Sequence, residues 1–557
     1  MPLNIVVIGG VATGPKAAAR ARRLLPDAQI TIIEQDSWFS YGSCGLPLYL
    51  GGLVPELAGL TKTSAGIIRD ADYFLQEKDV VIRERTKAVA IDREKKEVLL
   101  ETVDGVKDRI AYDYLVLATG SRPVKLSVPG NDLANIYNMH HPEDAAKLQR
   151  QMRQKIQDIV IVGGGLIGLE LVDALHGRKR NITVVEKEKQ LLPGLLDPEM
   201  ASLVKCHLER HKVKVICGQS VTGFSGHEQL EQVITEEYTL PAEAALVAVG
   251  VLPVVDLAKD AGLYLGPTGA IAVDSQLRTS DASIFAGGDC IENTHIITGK
   301  PAYVPLASTA NKHGRVIGSN LAGIREKFSG VLGTTVLKVL DLNIGRTGLT
   351  EKEARKEGCE VVTALMSGHD TAHYYPFSAD AIIKLVVHKE DGTLLGAQVL
   401  GTGEVIKRLD VLAAAITFRA NVEQISGLDL GYAPVFASPL DTAIQAANVL
   451  RNKLNGLAAG MSPGEFADKL LSIEDFMVLD VRKEEETTDT PVDDKRVKTI
   501  PLGQLRARIN ELPADREILT LCQLGTRSYE AAIILQAHGF NKVKFVEGGL
   551  LAVNYGG

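Results

Sequence analysis

Short apolar runs recur along the chain in a fixed relation to glycines and acids. Ile5-Val-Val-Ile8 is closed by Gly9-Gly10-Val11-Ala12-Thr13-Gly14, an Ala/Arg-rich helical stretch follows, and Ile30-Thr-Ile-Ile33 ends on Glu34. The order returns as Ile159-Val-Ile-Val162, Gly163-Gly164-Gly165-Leu166-Ile167-Gly168, a second helical stretch and Ile182-Thr-Val-Val-Glu186. Each unit reads strand, glycine turn, helix, strand, acid, the βαβ arrangement of a dinucleotide site. Each also has a later partner strand, Leu115–Pro123 in the first and Leu246–Pro253 in the second. Two units predict two bound dinucleotides.

The glycines have separate tasks. The first allows the tight reversal, the second lets backbone approach a pyrophosphate, and the third lets helix pack on strand. The helix start then turns unpaired N–H groups toward the phosphates, and the acid accepts from ribose hydroxyls. Gly163, Gly165 and Gly168 match throughout, whereas Val11 replaces the middle glycine of the first turn.

Downstream, a strand ends at Gly287-Gly288-Asp289 and a helix covers about 305–322. Strands at 336–340, 382–387 and 395–401 precede a helix at about 404–417, and 451–464 reads as a linker. Strands at 476–481 and 518–522 then belong to a separate small α/β domain.

A chain of 557 residues predicts about three to four domains. Its 45% hydrophobic and 23% charged content excludes a mostly disordered chain. A net charge of −8, with both signs spread along the chain, leaves no basic footprint for nucleic acid. Six Cys without a CxxC spacing exclude a disulfide framework and a zinc cluster, and the 12 His are read as lacking a metal-ligand spacing, so no metal is expected. No cationic leader precedes the first strand, and no apolar stretch approaches the ~20 residues of a membrane span. A soluble cytoplasmic protein is expected.

Two thiols stand in chemically loaded settings. Cys44 lies in Ser40-Tyr-Gly-Ser43-Cys44-Gly-Leu-Pro with no second Cys beside it, and a helix start there would activate a thiolate. Cys522-Gln-Leu-Gly-Thr-Arg527-Ser528 directly follows a strand, so loop N–H groups can form an anion nest around the sulfur. Cys206, Cys217, Cys290 and Cys359 are read as structural.

Together, Gly9-Gly10-Val-Ala, Ser40…Cys44-Gly-Leu-Pro, Ala118-Thr119-Gly120-Ser-Arg-Pro123, the second glycine turn and Gly287-Gly288-Asp289 resemble the flavin-dependent pyridine nucleotide-disulfide oxidoreductases. Within them they resemble the single-cysteine coenzyme A-disulfide reductase branch, over about residues 1–450. The Cys522 loop resembles that of rhodanese sulfurtransferases, C-x-x-G-x-R, and Leu479-Asp480-Val-Arg482 matches an early strand motif of that family. Departures are Ser43 for the usual Asn, Gly42 for Ala, and charged Thr487–Lys498 in place of a glycine-rich segment.

The resemblance implies an α/β protein with two Rossmann-like dinucleotide-binding domains, an α+β dimerisation domain and a rhodanese-like α/β domain. The expected boundaries are 1–155 and 256–328 for the FAD domain, 156–255 for NAD(P)H, 329–452 for the interface and 465–557 for rhodanese. It implies FAD contacts at Gly9, Gly14, Glu34, Thr119, Gly120 and Asp289. Nicotinamide dinucleotide contacts fall on Gly163, Gly165, Gly168 and Glu186, the last favouring NADH over NADPH. Cys44 would form a mixed disulfide with coenzyme A, with Ser40 and Ser43 beside it as substrate-binding residues. Tyr374 and Tyr432 would meet the leaving thiolate across a homodimer, and Arg20, Arg22 and Arg23 would reach coenzyme A phosphates. Cys522 and Arg527 would handle sulfane sulfur.

The leading expectation is an FAD-dependent NAD(P)H reductase of coenzyme A persulfide or disulfide. Persulfide is favoured because a fused sulfurtransferase makes and accepts persulfides. The alternatives are an NADH oxidase or peroxidase cycling Cys44 through sulfenic acid, disfavoured by Ala12 where such relatives carry His, and a non-catalytic redox-sensing flavoprotein.

Overall fold

The computed structural model describes residues 2–152, 156–177 and 180–554, so the expected boundary at 155 lies outside the described residues. The chain forms two compact bodies: residues 1–163, 171–180 and 221–331, and residues 164–170, 181–220 and 332–557.

In the first body, five parallel strands run in the order Ile284–Ala286, Tyr114–Leu117, Asn4–Ile8, Gln29–Ile33, Val81–Arg83. Val6, Val7, Ile32, Leu115 and Val116 are buried, as strands covered on both faces require. Helices Thr13–Leu24 and Ala307–Leu321 cross at close range. A Cβ at Gly314 would stand 2.6 Å from Thr13 O, and one at Gly318 2.7 Å from Ala17 O. Those glycines let helix Ala307–Leu321 lie directly against the first turns of helix Thr13–Leu24. A second parallel set pairs Asp158–Val162 with Ala244–Val247 and that strand with Ile136–Tyr137.

The second body contains the parallel pair Asn181–Glu186 and Lys214–Cys217, with helix Pro198–Arg210 between them in sequence. It also contains an antiparallel sheet in the order Thr335–Val339, Leu342–Gly348, Leu394–Gly401, Asp380–His388, Val361–His369. Helix Pro198–Arg210 is anchored to this sheet at its N-cap, where Asp197 accepts from Gln398 Nε2 at 2.6 Å and lies 3.0 Å from Lys384 Nζ. Lys384 is buried; burial alone would lower its pKa, but Glu199, Asp197 and Glu351 outweigh that and raise it.

The C-terminal sheet is wholly parallel, in the order Gly460–Met461, Val543–Val546, Glu517–Leu521, Phe476–Asp480, Val497–Thr499. It therefore begins inside the stretch read as a linker. Helix Thr442–Leu454 takes up the start of that stretch, and only about five residues connect it to the first strand. Buried Glu547 fastens this sheet to the antiparallel one, accepting from Leu365 N–H at 2.9 Å and pairing with Lys453.

Candidate active site

The two glycine turns have the same internal wiring. Glu34 accepts from Gly10 N–H at 2.7 Å and Asp36 N–H at 3.0 Å; Glu186 accepts from Gly164 N–H at 2.7 Å and Glu188 N–H at 2.8 Å. One backbone donor per carboxylate oxygen fixes each acid and leaves lone pairs for sugar hydroxyls. Burial raises the Glu34 pKa, against the backbone hydrogen bonds that lower it.

Gly9 and Gly163 have φ of 106° and 110°, and a Cβ would strike the carbonyl oxygens of Ala118 and Ala248 at 2.1 and 2.4 Å. These are backbone requirements. Gly14 is a packing requirement, because its Cβ would fall 2.0 Å from Gly9 O. Gly165 differs: nothing lies within 4 Å of the Cβ it lacks, so the glycine leaves open ground at the start of helix Leu166–Leu175, as a pyrophosphate approach needs. Gly168 sits in that helix's first turn. The donors and the close-approach glycines fit two dinucleotides.

Asp289 follows Gly287-Gly288, where Cβ atoms would hit Thr13 and His313. Its pKa is raised by burial, and Ser121 Oγ donates to it at 3.2 Å. Sequence reasoning missed His313, which is fully buried and accepts from Gly288 N–H through Nδ1 at 3.1 Å. Burial holds its pKa down at about 4. The only sequence signal was a histidine on an otherwise small and apolar helix face. Gly120 lies at φ 69°, while the Thr119 hydroxyl donates to Val254 O at 2.6 Å and is thus committed to the fold.

Cys44 is exposed, in a 3-10 turn Ser43–Gly45 that runs into helix Leu46–Gly51. A Cβ on Gly45 would stand 2.4 Å from Leu60 Cδ2, so a side chain there would displace the Leu60 tip. Ser43 is exposed beside the thiol; Ser40 is buried at φ 50° and donates its N–H to Gly10 O at 2.7 Å. The turn carrying Cys44 is thereby tied to the first glycine turn. The three arginines separate. Arg22 is held by Asp79 and the Pro26 carbonyl, and Arg20 donates its Nε–H to Ser319 Oγ. Arg23 is exposed.

In the second body Tyr374 and Tyr432 come together, both exposed, and the Tyr374 hydroxyl bonded to Tyr432 raises the latter's pKa. Cys522 is buried at the end of strand Glu517–Leu521. Its sulfur accepts from Gly525 N–H at 3.1 Å and Ser528 N–H at 3.3 Å, with Ser528 Oγ at 3.7 Å. Gly525 adopts φ 96° to aim its N–H inward. A Cβ on Gly549 would meet Cys522 O at 2.5 Å, so the following Gly548-Gly549 turn braces the loop from behind. Arg527 stands within electrostatic reach of Cys522, and its guanidinium is paired with Glu486 by two hydrogen bonds.

A cluster stands apart from these sites. Helix Pro198–Arg210 and its cap place His207 and His211 one turn apart, beside Asp341. The four-residue spacing corrects the reading that no histidines are spaced as ligands. Among the described residues, no helix is long and apolar enough to cross a membrane.

Comparison with known proteins agrees with this architecture. Residues 3–314 match the pyridine nucleotide-disulphide oxidoreductase family, residues 334–444 its dimerisation domain, and residues 462–554 the rhodanese-like domain. The chain is 36% identical over 449 residues to a Pyrococcus furiosus protein named NAD(P)H sulfur oxidoreductase (CoA-dependent), covering 80% of this chain and 99% of that one. A Pyrococcus horikoshii protein named NAD(P)H coenzyme A polysulfide/persulfide reductase is 34% identical over 81% of this chain and 99% of its own length. The solved NAD-dependent persulfide reductase of A. fulgidus superposes with a TM-score of 0.95 at 40% identity, over 99% of this chain and 100% of that one. Reduced Bacillus anthracis CoADR-RHD gives 0.92 at 32%, over 100% and 98%. The chain belongs to the pyridine nucleotide-disulphide oxidoreductase family, whose members use FAD and NAD(P)H, and carries that family's dimerisation domain together with a rhodanese-like domain.

Proposed function

We propose that the protein reduces coenzyme A persulfide with NAD(P)H, preferring NADH, and that its rhodanese-like domain delivers or accepts the sulfane sulfur. The observation that carries this reading is the pairing, in one chain, of an exposed single cysteine in the reductase half with a sulfur cradled by two backbone N–H groups in the other. The relatives named for sulfur and persulfide reduction support it.

Gly9, Gly14, Glu34, Gly120 and Asp289 would hold FAD, and Gly163, Gly165, Gly168 and Glu186 the nicotinamide dinucleotide. Glu186, already fixed by two backbone donors, presents acceptors to ribose hydroxyls and repels a 2′-phosphate. Bound FAD supplies passage of an electron pair from NAD(P)H to sulfur. Cys44 thiolate attacks the inner sulfur of the persulfide; its S–S bond breaks, hydrosulfide leaves, and a Cys44–coenzyme A mixed disulfide forms. Two electrons then break that disulfide, regenerating Cys44 thiolate and releasing coenzyme A thiolate. In a homodimer, the Tyr374–Tyr432 pair meets that thiolate with a hydroxyl proton. At Cys522, a donor persulfide's outer sulfur passes to the thiolate and the donor leaves as a thiol.

The test is NADH oxidation with coenzyme A persulfide, coenzyme A disulfide, oxygen or peroxide as acceptor. Equimolar sulfide and NAD⁺, with kcat/KM highest for the persulfide, is expected. Faster turnover of oxygen or peroxide would replace this reading with an oxidase or peroxidase. NADPH used with the lower KM at similar kcat would remove the role given to Glu186.

A further inference from the structure

We infer that His207, His211 and Asp341 form a binding site for a divalent transition-metal ion, of the Zn²⁺ or Ni²⁺ class, separate from the redox and sulfur-transfer centres. Their ligand atoms all lie within 4.8 Å of one another. His207 Nε2 is 2.9 Å and His211 Nε2 3.9 Å from Asp341 Oδ1. A tetrahedral ion about 2.1 Å from each ligand separates ligand atoms by about 3.4 Å. The two spacings bracket that value, and Asp341 and His211 retain enough exposure to adjust.

The protonation pattern supports coordination. His211 Nδ1 lies 2.9 Å from His207 O, and a carbonyl can only accept, so Nδ1 is the donor. In neutral His211 the lone pair is then on Nε2, the atom turned toward the Asp341 carboxylate. A ring N–H donated to a backbone carbonyl is how metal-ligating histidines are commonly oriented. His207 is more than nine-tenths buried, and its Nε2 faces the same carboxylate at 2.9 Å.

The surroundings favour positive charge as well. The histidines occupy the last turn and cap of helix Pro198–Arg210, at the negative end of the helix dipole. Asp341 sits with Leu340 in the two-residue turn between strands Thr335–Val339 and Leu342–Gly348. Two imidazoles and one carboxylate suit a borderline ion over Mg²⁺ or Ca²⁺, and partial exposure leaves a fourth position for water. The same helix is already pinned at its N-cap through Asp197, so a metal would pin the other end to the same sheet.

The experiment titrates the chelator-treated, flavin-loaded full chain with ZnCl₂ by calorimetry. It is repeated with His211→Ala and Asp341→Asn, whose flavin absorbance reports that the fold is intact. Wild type is expected to bind one more Zn²⁺ per chain than either variant, with a heat-unfolding midpoint raised by Zn²⁺ only in wild type. Equal stoichiometry and affinity in wild type and either variant, or no saturable binding in wild type, would overturn the assignment.

Discussion

Arg527 meets Glu486 through two parallel hydrogen bonds of 2.7 and 2.6 Å, so the cation on the sulfur loop is already paired within the domain. The Arg527 contact is the largest influence holding the Glu486 carboxyl down at about 2. Buried Arg482, bound to Asp480 at 2.7 Å, reaches the carbonyls of Glu486 and Thr490 and so places the helix that carries the acid. Charge neutralised in this way suits a monoanionic persulfide better than dianionic thiosulfate. Glu486→Gln should raise kcat/KM for thiosulfate about tenfold, equivalent to one charge-assisted hydrogen bond of about 1.5 kcal/mol, with less effect on persulfide donors. A rhodanese assay with both donors checks this. The acid's folded pKa lies below the ordinary 4.5, so its stabilisation is complete above pH 4.5 and fades as pH falls toward about 2. The stability difference between wild type and Glu486→Gln should therefore shrink over that window.

Cys44 is exposed, whereas Cys522 is buried in its nest, so the two thiols should separate by function. Cys44→Ser should retain FAD but lose NADH-dependent sulfide release from coenzyme A persulfide by more than about 1,000-fold, as for loss of a nucleophile. Sulfur loading of Cys522, followed as a protein persulfide by mass spectrometry, should be unchanged. Full reductase activity in this variant would remove Cys44 from the reaction.

The Tyr374 hydroxyl raises the pKa of Tyr432, so Tyr432 keeps its proton through neutral pH and can give it to a thiolate. Tyr432→Phe should leave flavin reduction by NADH intact and slow release of coenzyme A about tenfold or more. Stopped-flow absorbance separates the half-reactions. If both rates are unchanged, the tyrosine pair is structural.

The glycine turns were legible because each glycine answers a local demand: Gly9 and Gly163 need positive φ, and Gly14 a vanishing side chain. Glu34 and Glu186 follow the turn amides that bind them by 24 and 22 residues, within the span of one βαβ unit. The loop around Cys522 was legible on the same grounds, since its donors come from Gly525 and Ser528. What sequence spacing does not encode is the partner reached across the fold. Glu486 is 41 residues from Arg527, and Asp341 comes to His207 from another strand pair. Arg22 likewise reads as an exposed helix cation until Asp79 is brought to it. The strand Gly460–Met461 is too short and glycine-rich to announce itself, and only its pairing with Val543–Val546 makes it a strand.

His313 should make the first body sensitive to acid. Its Nδ1 must stay unprotonated to accept from Gly288 N–H, and burial keeps its pKa at about 4 against 6.5 for an ordinary histidine. The unfolded chain thus binds a proton that the native one refuses between pH 6.5 and 4, so stability falls as pH is lowered through that window, by about 3 kcal/mol in all. His313→Asn keeps an acceptor but cannot titrate, and should flatten this part of the pH profile. Denaturant unfolding of both proteins at pH 7 and pH 5 measures it; an equal pH dependence would rule the histidine out as the source.

Glu547 links the sulfur loop to the antiparallel sheet. Its carboxylate is buried, pairs with Lys453 and accepts from Leu365 N–H, while Gly460 makes room for it: a Cβ there would lie 2.0 Å from Oε1. Lys453 also donates to Thr363 O at 2.6 Å, so removing the acid leaves a largely buried ammonium with one neutral partner. Loss of one member of such a pair costs about 3 kcal/mol or more. Because Gly548 and Gly549 immediately follow and brace the Cys522 loop, Glu547→Ala should loosen the attachment of the rhodanese-like domain and its sulfur site together. Limited proteolysis should then cut between Leu454 and Gly460 well before wild type is cut, and sulfur loading of Cys522 should fall, while NADH-dependent flavin reduction is retained. Unchanged proteolysis with unchanged sulfur loading would show that the domain is held by its apolar contacts alone.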